Sequence, residues 1–484
     1  MACNHGVGGI VKQKQIFKKT VTLLFFLSLS LSFCINFYAS AQSPTTQCFD
    51  TFAEADRLFP EPSSRSAAEQ LYRQCKPPFQ NQELAAYFPD PVTDPEQLSP
   101  GSRVYWREAQ EGLERDQESR VFTALSLLIE KEPAFMPAYG ALAEALQKFE
   151  REVDALEILE QAATLFPYNA EIAKDRAAVL RNNDQYLEAS MASRLFVMVN
   201  PEHPDEQEFL AQANEDFGTF QAELRQQYIA GGILGAVTGV LFGDSNAALD
   251  SVGLAMMLVQ GESATGAQLA AATREAAQEQ GVLIEDPVLL EYVTTIGKDI
   301  ADQMGRDEFD YEFSVIKDDS LNAFALPGGK VFVNTGAILA AKSEAELAGL
   351  MAHEVAHAVL SHGYQKLATD GMLRALSNAL PLGGLLGSAS LANSRQYEQQ
   401  ADILGTRAIA GFGYAADGLR NLFVTLDETS GSSQAEYLST HPLPPNRVSY
   451  IEALIVRNGY NRYAFEGVEE HARMQQRVRE LTNS

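Results

Sequence analysis

The chain has 484 residues, 46% hydrophobic and 21% charged, which is enough apolar material for two or three ordinary cores and too much for a globally disordered chain. Acidic residues outnumber Lys and Arg by 64 to 37, a formal charge of −27. Phosphate backbones repel such an anion, so the composition argues against a nucleic-acid partner.

The first 41 residues hold Lys12, Lys14, Lys18 and Lys19, no acid, and an apolar run from Val21 to Phe37. Ala39-Ser40-Ala41 then offers the small residues of a signal-peptidase site. Residues 1–41 therefore read as a signal peptide cleaved after Ala41, and the mature protein as exported to a periplasm or cell envelope. Bulky Phe33 before Cys34 argues against lipid attachment there. Cys48 and Cys75 remain, an even pair suited to an oxidising compartment. A disulfide between them would stabilise by about 3 kcal/mol. It would tie down an N-terminal extension, residues 42–101, with one helix from Ser66 to Arg73.

Pro133, Pro167 and Pro201 follow at intervals of 34 residues. In the unit ending at Pro167, Tyr139, Leu142, Ala143, Leu146, Ala155, Leu159 and Ala162 give a large–small pattern in which alanine lets paired helices approach closely. Residues 102–203 resemble tetratricopeptide repeats, and a helical repeat domain is expected over 102–225. Such a stack has a concave face for a peptide or a partner protein. Next comes an uncharged run from Ile229 to Gly243, with Gly231, Gly235, Gly239 and Gly243 on one helix face. It is too short to span a bilayer, so it is expected to pack against the next apolar stretch, Val252 to Val259, or to touch a membrane surface. Residues 226–264 are set apart as this Gly-rich segment.

From 265 the pattern becomes mixed. Glu312 to Val315, Asn322 to Leu326 and Lys330 to Asn334 read as strands, with Pro327-Gly328-Gly329 as a turn. His353-Glu354-Val355-Ala356-His357 is an H-E-x-x-H motif. It sits in a helix signalled by a Ser343/Glu346 capping box and by Gly363 as a stop. One helical turn separates the two histidines, so both project from one face. Neutral imidazoles suit Zn²⁺, and a carboxylate beside the metal can take a proton from water. Among the downstream residues Glu398 is the candidate third ligand. Asp402 lies on the same helix face, suited to hold a ligand histidine. The segment Gly371 to Asn393, with Arg374 its single charge, reads as a core hairpin or a lid.

These motifs occur in a fixed order: Asn322-Ala323-Phe324-Ala325 with its following hairpin, then H-E-x-x-H, then Ser394-Arg395 through Glu398 to Asp402, then Thr440-His441-Pro442 with Arg447. Together they resemble the gluzincin metallopeptidases that include the CAAX prenyl proteases, the HtpX heat-shock proteases and the exported BepA-type chaperone-proteases. The resemblance implies one Zn²⁺ per chain, held by His353, His357 and Glu398, with Glu354 as general base and Asp402 orienting His353. The segment Asn322 to Ala325 can pair with substrate backbone as an added strand. His441 and Arg447 are candidates for stabilising an oxyanion or touching the metal. On the polar loop Gly431 to Pro445, His441 can instead occupy the metal's open position, and the BepA-type resemblance implies such a plug. His362 is read as helix surface or as an outer neighbour of the site, without a role.

The expected fold is mainly α, with a small β-sheet in an α+β peptidase domain over 265–465 and a helix or tail over 466–484, behind the α-helical repeats. The expected function is an exported zinc endopeptidase acting on misfolded or misassembled envelope proteins, self-inhibited at rest. The alternative is a chaperone or assembly scaffold that acts through its repeats and carries a largely latent protease.

Overall fold

Local signals start several of the helices. Asn169 Oδ1 accepts from the Ile172 amide at 2.9 Å, Asp286 Oδ1 accepts from Leu289 at 3.0 Å, and Ser343 Oγ accepts from Glu346 at 3.2 Å. Each satisfies an amide that the first helical turn leaves without a partner. The computed structural model describes residues 48–80, 84, 87–242, 260–369, 395–428, 437, 441 and 446–482. The expected signal peptide, the run from Val252 to Val259, the segment Gly371 to Asn393 and most of the loop around His441 lie outside them. Among the described residues no helix is long and apolar enough to cross a membrane.

The chain is mainly α-helical with one small sheet, as its patterning implies. Helices α1 (Phe49–Leu58) and α2 (Arg65–Cys75) form a hairpin closed by the Cys48–Cys75 disulfide, with Cα atoms 5.8 Å apart. Helix α1 is one that sequence reading missed. Six helices follow in pairs: α3 (Pro100–Glu114) with α4 (Glu118–Lys131), α5 (Pro137–Lys148) with α6 (Glu152–Leu165), and α7 (Ala170–Asn182) with α8 (Tyr186–Val199). Pro133, Pro167 and Pro201 stand just beyond the second helix of each pair, where a ring that cannot continue a helix belongs. Tyr139, Leu142, Ala143, Leu146, Ala155, Leu159 and Ala162 are all buried between these helices. Helix α9 (Glu206–Phe242) runs unbroken through the expected boundary at 225/226, packing Phe217, Phe220 and Leu224 near Leu187 and Tyr364.

Helix α10 (Glu262–Glu279) leads to strand β1 (Leu283–Ile284), helix α11 (Pro287–Ala301), and strands β2 (Glu312–Ile316), β3 (Ala323–Leu326) and β4 (Lys330–Asn334). The sheet order is β1-β2-β4-β3, with β2 and β4 parallel and the other pairs antiparallel. Three strands match the expected ones within a residue. The two-residue β1 is too short for any alternation to show. Strand β3 pairs on one side only, so its outer edge carries a row of backbone groups outside the ladder.

After α12 (Thr335–Ala340), helix α13 (Glu344–Val359) carries H-E-x-x-H and is buried along its whole length. It lies among α11, β3, α15 (Arg395–Phe412) and α16 (Gly418–Glu428). Glycine permits the close crossings: a Cβ on Gly418 would sit 2.1 Å from Ala345 O, and one on Gly405 of α15 would sit 3.1 Å from the His353 amide. The helix does not stop at Gly363. Ser361 takes a left-handed conformation (φ 54°), and Gly363 lies inside the next helix, α14 (His362–Thr369). A positive-φ serine gives no strong sequence signal, so the following glycine misled the reading. Helices α17 (Arg447–Asn458) and α18 (Val468–Thr482) complete the fold.

The N-terminal hairpin is docked, not loose. Asp56 accepts from Tyr72 Oη at 2.6 Å and from the amides of Glu466 and Val468 at 2.9 Å each. Immediately after the disulfide, the buried Lys76 ammonium donates to Asp417 Oδ1 at 2.6 Å and to Arg462 O at 2.8 Å, and pairs with Glu466. Asp417 also accepts from Arg462 Nε at 3.0 Å. Burial pushes the Glu466 carboxyl upward, with Lys76 opposing. This charged knot lies at the foot of α13 and α16, since Glu466 O receives the Ala345 amide.

Candidate metal centre

Helix α13 presents His353 and His357 one turn apart, as the motif spacing requires. Helix α15 crosses it and supplies Glu398 and Asp402, again one turn apart. His441 arrives from the segment before α17. The donor atoms of His353, His357, Glu398 and His441 all lie within 4.8 Å of one another, and all four residues are buried. His353 Nε2 is 3.1 Å from His357 Nε2, 3.4 Å from Glu398 Oε2 and 3.4 Å from His441 Nδ1. Glu398 Oε1 is 3.5 Å from His357 Nε2, and Oε2 is 3.2 Å from His441 Nδ1.

These separations fit a metal. Tetrahedral bonds of about 2.0–2.1 Å place ligand atoms about 3.3–3.4 Å apart. Two imidazole nitrogens pointing at each other across 3.1 Å, with a buried carboxylate at their side, also call for a cation between them. The electrostatics agree. Burial lowers the basicity of His353, but hydrogen bonds to Asp402 and Glu398 override it and push its pKa up to about 9. Those carboxylates thus demand a positive charge at this point. Burial and the neighbouring His353 hold His357 well below the usual histidine range, neutral as a ligand must be. Glu398 is opposed by burial yet held well below the usual carboxylate range by His441 and His353.

Around the donors lies a shell of fixed partners. His353 Nδ1 is 2.9 Å from Asp402 Oδ1. Asp402 is gripped by Arg447, whose Nε and Nη2 donate at 2.6 and 2.5 Å. The guanidinium lies 3.8 Å over the Phe423 ring. Sequence reading gave Arg447 to an oxyanion or the metal. Here Nε and Nη2 donate to Asp402, Nη2 also lies 3.3 Å from His353 Nδ1 and 3.5 Å from Glu398 Oε2, and Nη1 makes no hydrogen bond among the described residues. Glu354 follows His353 on the same helix, buried, with Oε1 3.5 Å from His441 Nε2 and outside any hydrogen bond among the described residues. Burial raises its pKa, partly countered by His441.

Two aromatic contacts escaped the sequence reading, which placed His362 on the helix surface or as an outer neighbour of the site, without a role. Tyr437 stacks on His441, ring centres 4.8 Å apart and planes at 23°. His362 takes the second of those places: it is buried, stacked on Tyr397 at 4.2 Å, with Nδ1 2.8 Å from His357 Nδ1. Burial drives its pKa down to about 3, so it is neutral. The available signal was its spacing, five residues after His357 and just past a helix end. Asn322 and Ala323 are buried and Phe324 and Ala325 half-buried, at the start of β3 alongside α13.

Residues 289–455 match the family described as peptidase family M48. The putative beta-barrel assembly-enhancing protease of Vibrio cholerae serotype O1 is 33% identical over 189 residues, 34% of this chain and 39% of that protein. The beta-barrel assembly-enhancing protease of Escherichia coli K12 is 30% identical over the same shares. The mitochondrial metalloendopeptidase OMA1 of Schizosaccharomyces pombe is 32% identical over 173 residues, 33% of this chain and 51% of that protein. The chain thus spans about two fifths to one half of the length of these curated relatives. M48 metallopeptidases are zinc-dependent, in keeping with the donor set found here. With the motif helix, its crossing partner and their buried carboxylates inside the matched region, residues 289–455 are a peptidase family M48 domain.

Proposed function

We propose that this protein is an exported zinc endopeptidase that hydrolyses peptide bonds in misfolded or misassembled envelope proteins and is restrained at rest by His441. The observation that carries the reading is the buried cluster of three imidazoles and one carboxylate at 3.1–3.5 Å, with Glu354 beside it. His353, His357 and Glu398 would hold the metal, which when bound supplies Lewis acidity toward an amide carbonyl and a water of lowered pKa. Glu354 takes a proton from the attacking water and delivers it to the leaving amine nitrogen. Burial raises its proton affinity, which suits both halves of that transfer. Asp402 keeps His353 in the Nδ1–H tautomer, and Arg447 keeps Asp402 in place. The outer edge of β3 receives an extended substrate backbone, which fixes the scissile amide without reading many side chains. The names of the relatives support the envelope substrate class, and the paired helices α3 to α8 are read as the repeats that would engage assembly machinery. Membrane contact through Ile229 to Gly243 belongs to the same reading.

His441 has Nδ1 among the donors, where it completes a fourth position, and its ring is held by Tyr437. That seat favours a resting, self-inhibited state and, as a second reading, a scaffold whose protease is mostly latent. Hydrolysis of unfolded casein tests both. Wild-type activity is expected to vanish on chelation and return with zinc. The variant His441→Ala is expected to raise the basal rate several-fold and to cut itself. A lower rate without self-cleavage rejects the plug and leaves His441 as an oxyanion donor. Chelator-resistant hydrolysis rejects the zinc reading.

A further inference from the structure

Metal ligation by an imidazole requires that its other nitrogen carry the hydrogen, and something must hold that hydrogen. For His353 it is Asp402. For His357, Nδ1 faces His362 Nδ1 at 2.8 Å, and His362 Nε2 in turn faces Gln400 Oε1 at 3.2 Å. The left-handed Ser361 turns the chain so that the first residue of α14 comes back onto α13. Tyr397 stacks on the His362 ring with planes at 10°, which fixes its plane, and Tyr397 Oη donates to Gln365 at 3.1 Å. Gln400 sits two residues beyond Glu398, about 200° around α15. Its side of the helix lines a pocket with Phe166, Ile172 and Phe196 of the paired helices.

Two proton arrangements satisfy this row of contacts. In one, Gln400 Oε1 accepts from His362 Nε2–H, His362 Nδ1 accepts from His357 Nδ1–H, and His357 Nε2 keeps its lone pair toward His353 and Glu398. In the other every polarity reverses, and His357 Nε2 drives a hydrogen into the donor cluster. Only the first is compatible with a metal. We infer that His362, oriented by Gln400 and Tyr397, is a positioning residue that locks His357 in its Nδ1–H tautomer and presents Nε2 as a ligand. The inference rests on the metal-centre reading above. It makes α15 the source of both tautomer settings, through Asp402 for one histidine and Gln400 for the other.

Zinc affinity of the purified full chain, measured by competition with a chromophoric chelator, tests it without reference to hydrolysis. Removing the acceptor in His362→Leu is expected to weaken zinc binding about 10–100-fold. His362→Asn, whose Oδ1 can replace the imidazole acceptor, should recover most of that loss. The polarity is tested at Gln400: Gln400→Glu can only accept and should keep the affinity, whereas Gln400→Lys can only donate and should lower it. A merely structural role would not separate Glu from Lys in that sense. If His362→Leu does not fold, the two Gln400 variants decide. Equal affinities for Gln400→Glu and Gln400→Lys, or wild-type affinity in a folded His362→Leu, overturn the relay. A wild-type protein that holds no zinc overturns the metal-centre reading, and the relay with it.

Discussion

Replacing Glu354 with Gln is expected to leave one zinc per chain in place and to cut kcat by roughly 10²–10⁴-fold, the usual share of a general base. Glutamine matches the shape of the side chain and keeps a carbonyl oxygen, but it cannot take a proton at neutral pH. The three residues assigned to the metal are untouched, so the ion should stay. Glu354 is buried beside those donors, with Oε1 3.5 Å from His441 Nε2 and outside any hydrogen bond among the described residues. The loss should fall on kcat with KM nearly unchanged, because a proton in flight is a transition-state interaction. Steady-state hydrolysis of an unfolded protein, with metal analysis of the same sample, reads both quantities. A variant that cleaves within a few-fold of wild type removes Glu354 from the chemistry.

The largest expected effect on stability is at Lys76. Its ammonium is the shared cation of Asp417 and Glu466, all three fully buried. Lys76→Met keeps the aliphatic stem and deletes the charge. Asp417 retains Arg462, but Glu466 is left as a buried carboxylate without the ammonium that opposes the cost of its burial. Breaking a buried pair in this way costs about 3–5 kcal/mol. The sign of the pH dependence follows from Glu466. A carboxyl whose pKa is higher folded than unfolded binds more protons in the native state, so stability falls as pH rises through that range. Lys76→Met removes the group that opposed the rise, so its deficit should be larger at pH 8 than at pH 5. Adding Glu466→Gln should restore much of the loss, since the two sites share one interaction. Urea-denaturation midpoints at the two pH values measure this. A midpoint that stays at the wild-type value at pH 8 would contradict it.

Much of the site is local in sequence and was legible there. A capping box followed by H-E-x-x-H needs only helix geometry to bring His353, Glu354 and His357 to one face, and the i, i+4 pair Glu398 and Asp402 needs only the same rule. Strands β2 to β4 announce themselves through apolar runs around a Pro-Gly-Gly turn. What was missed depends on contacts between distant parts of the chain. His362 becomes a partner of His357 because of one positive-φ serine, and it reaches Gln400 because α15 crosses at that point. Lys76 lies hundreds of residues before Asp417 and Glu466, and each alone looks like a surface charge. Tyr437 earns its place only through its stacking on His441. Arg447 was correctly drawn to the site, but its bidentate grip on Asp402 could not be read from a lone basic residue near a histidine.

The central claim is that α13 and α15 together make one metal site, and the zinc content of purified wild-type protein beside Glu398→Ala tests it most directly. Glu398 is the only carboxylate among the four converging donors, and its removal leaves histidines alone around the cation. The wild type is expected to hold one zinc per chain through extensive dialysis and Glu398→Ala to lose it. Equal, tightly held zinc in both proteins would contradict the site described here.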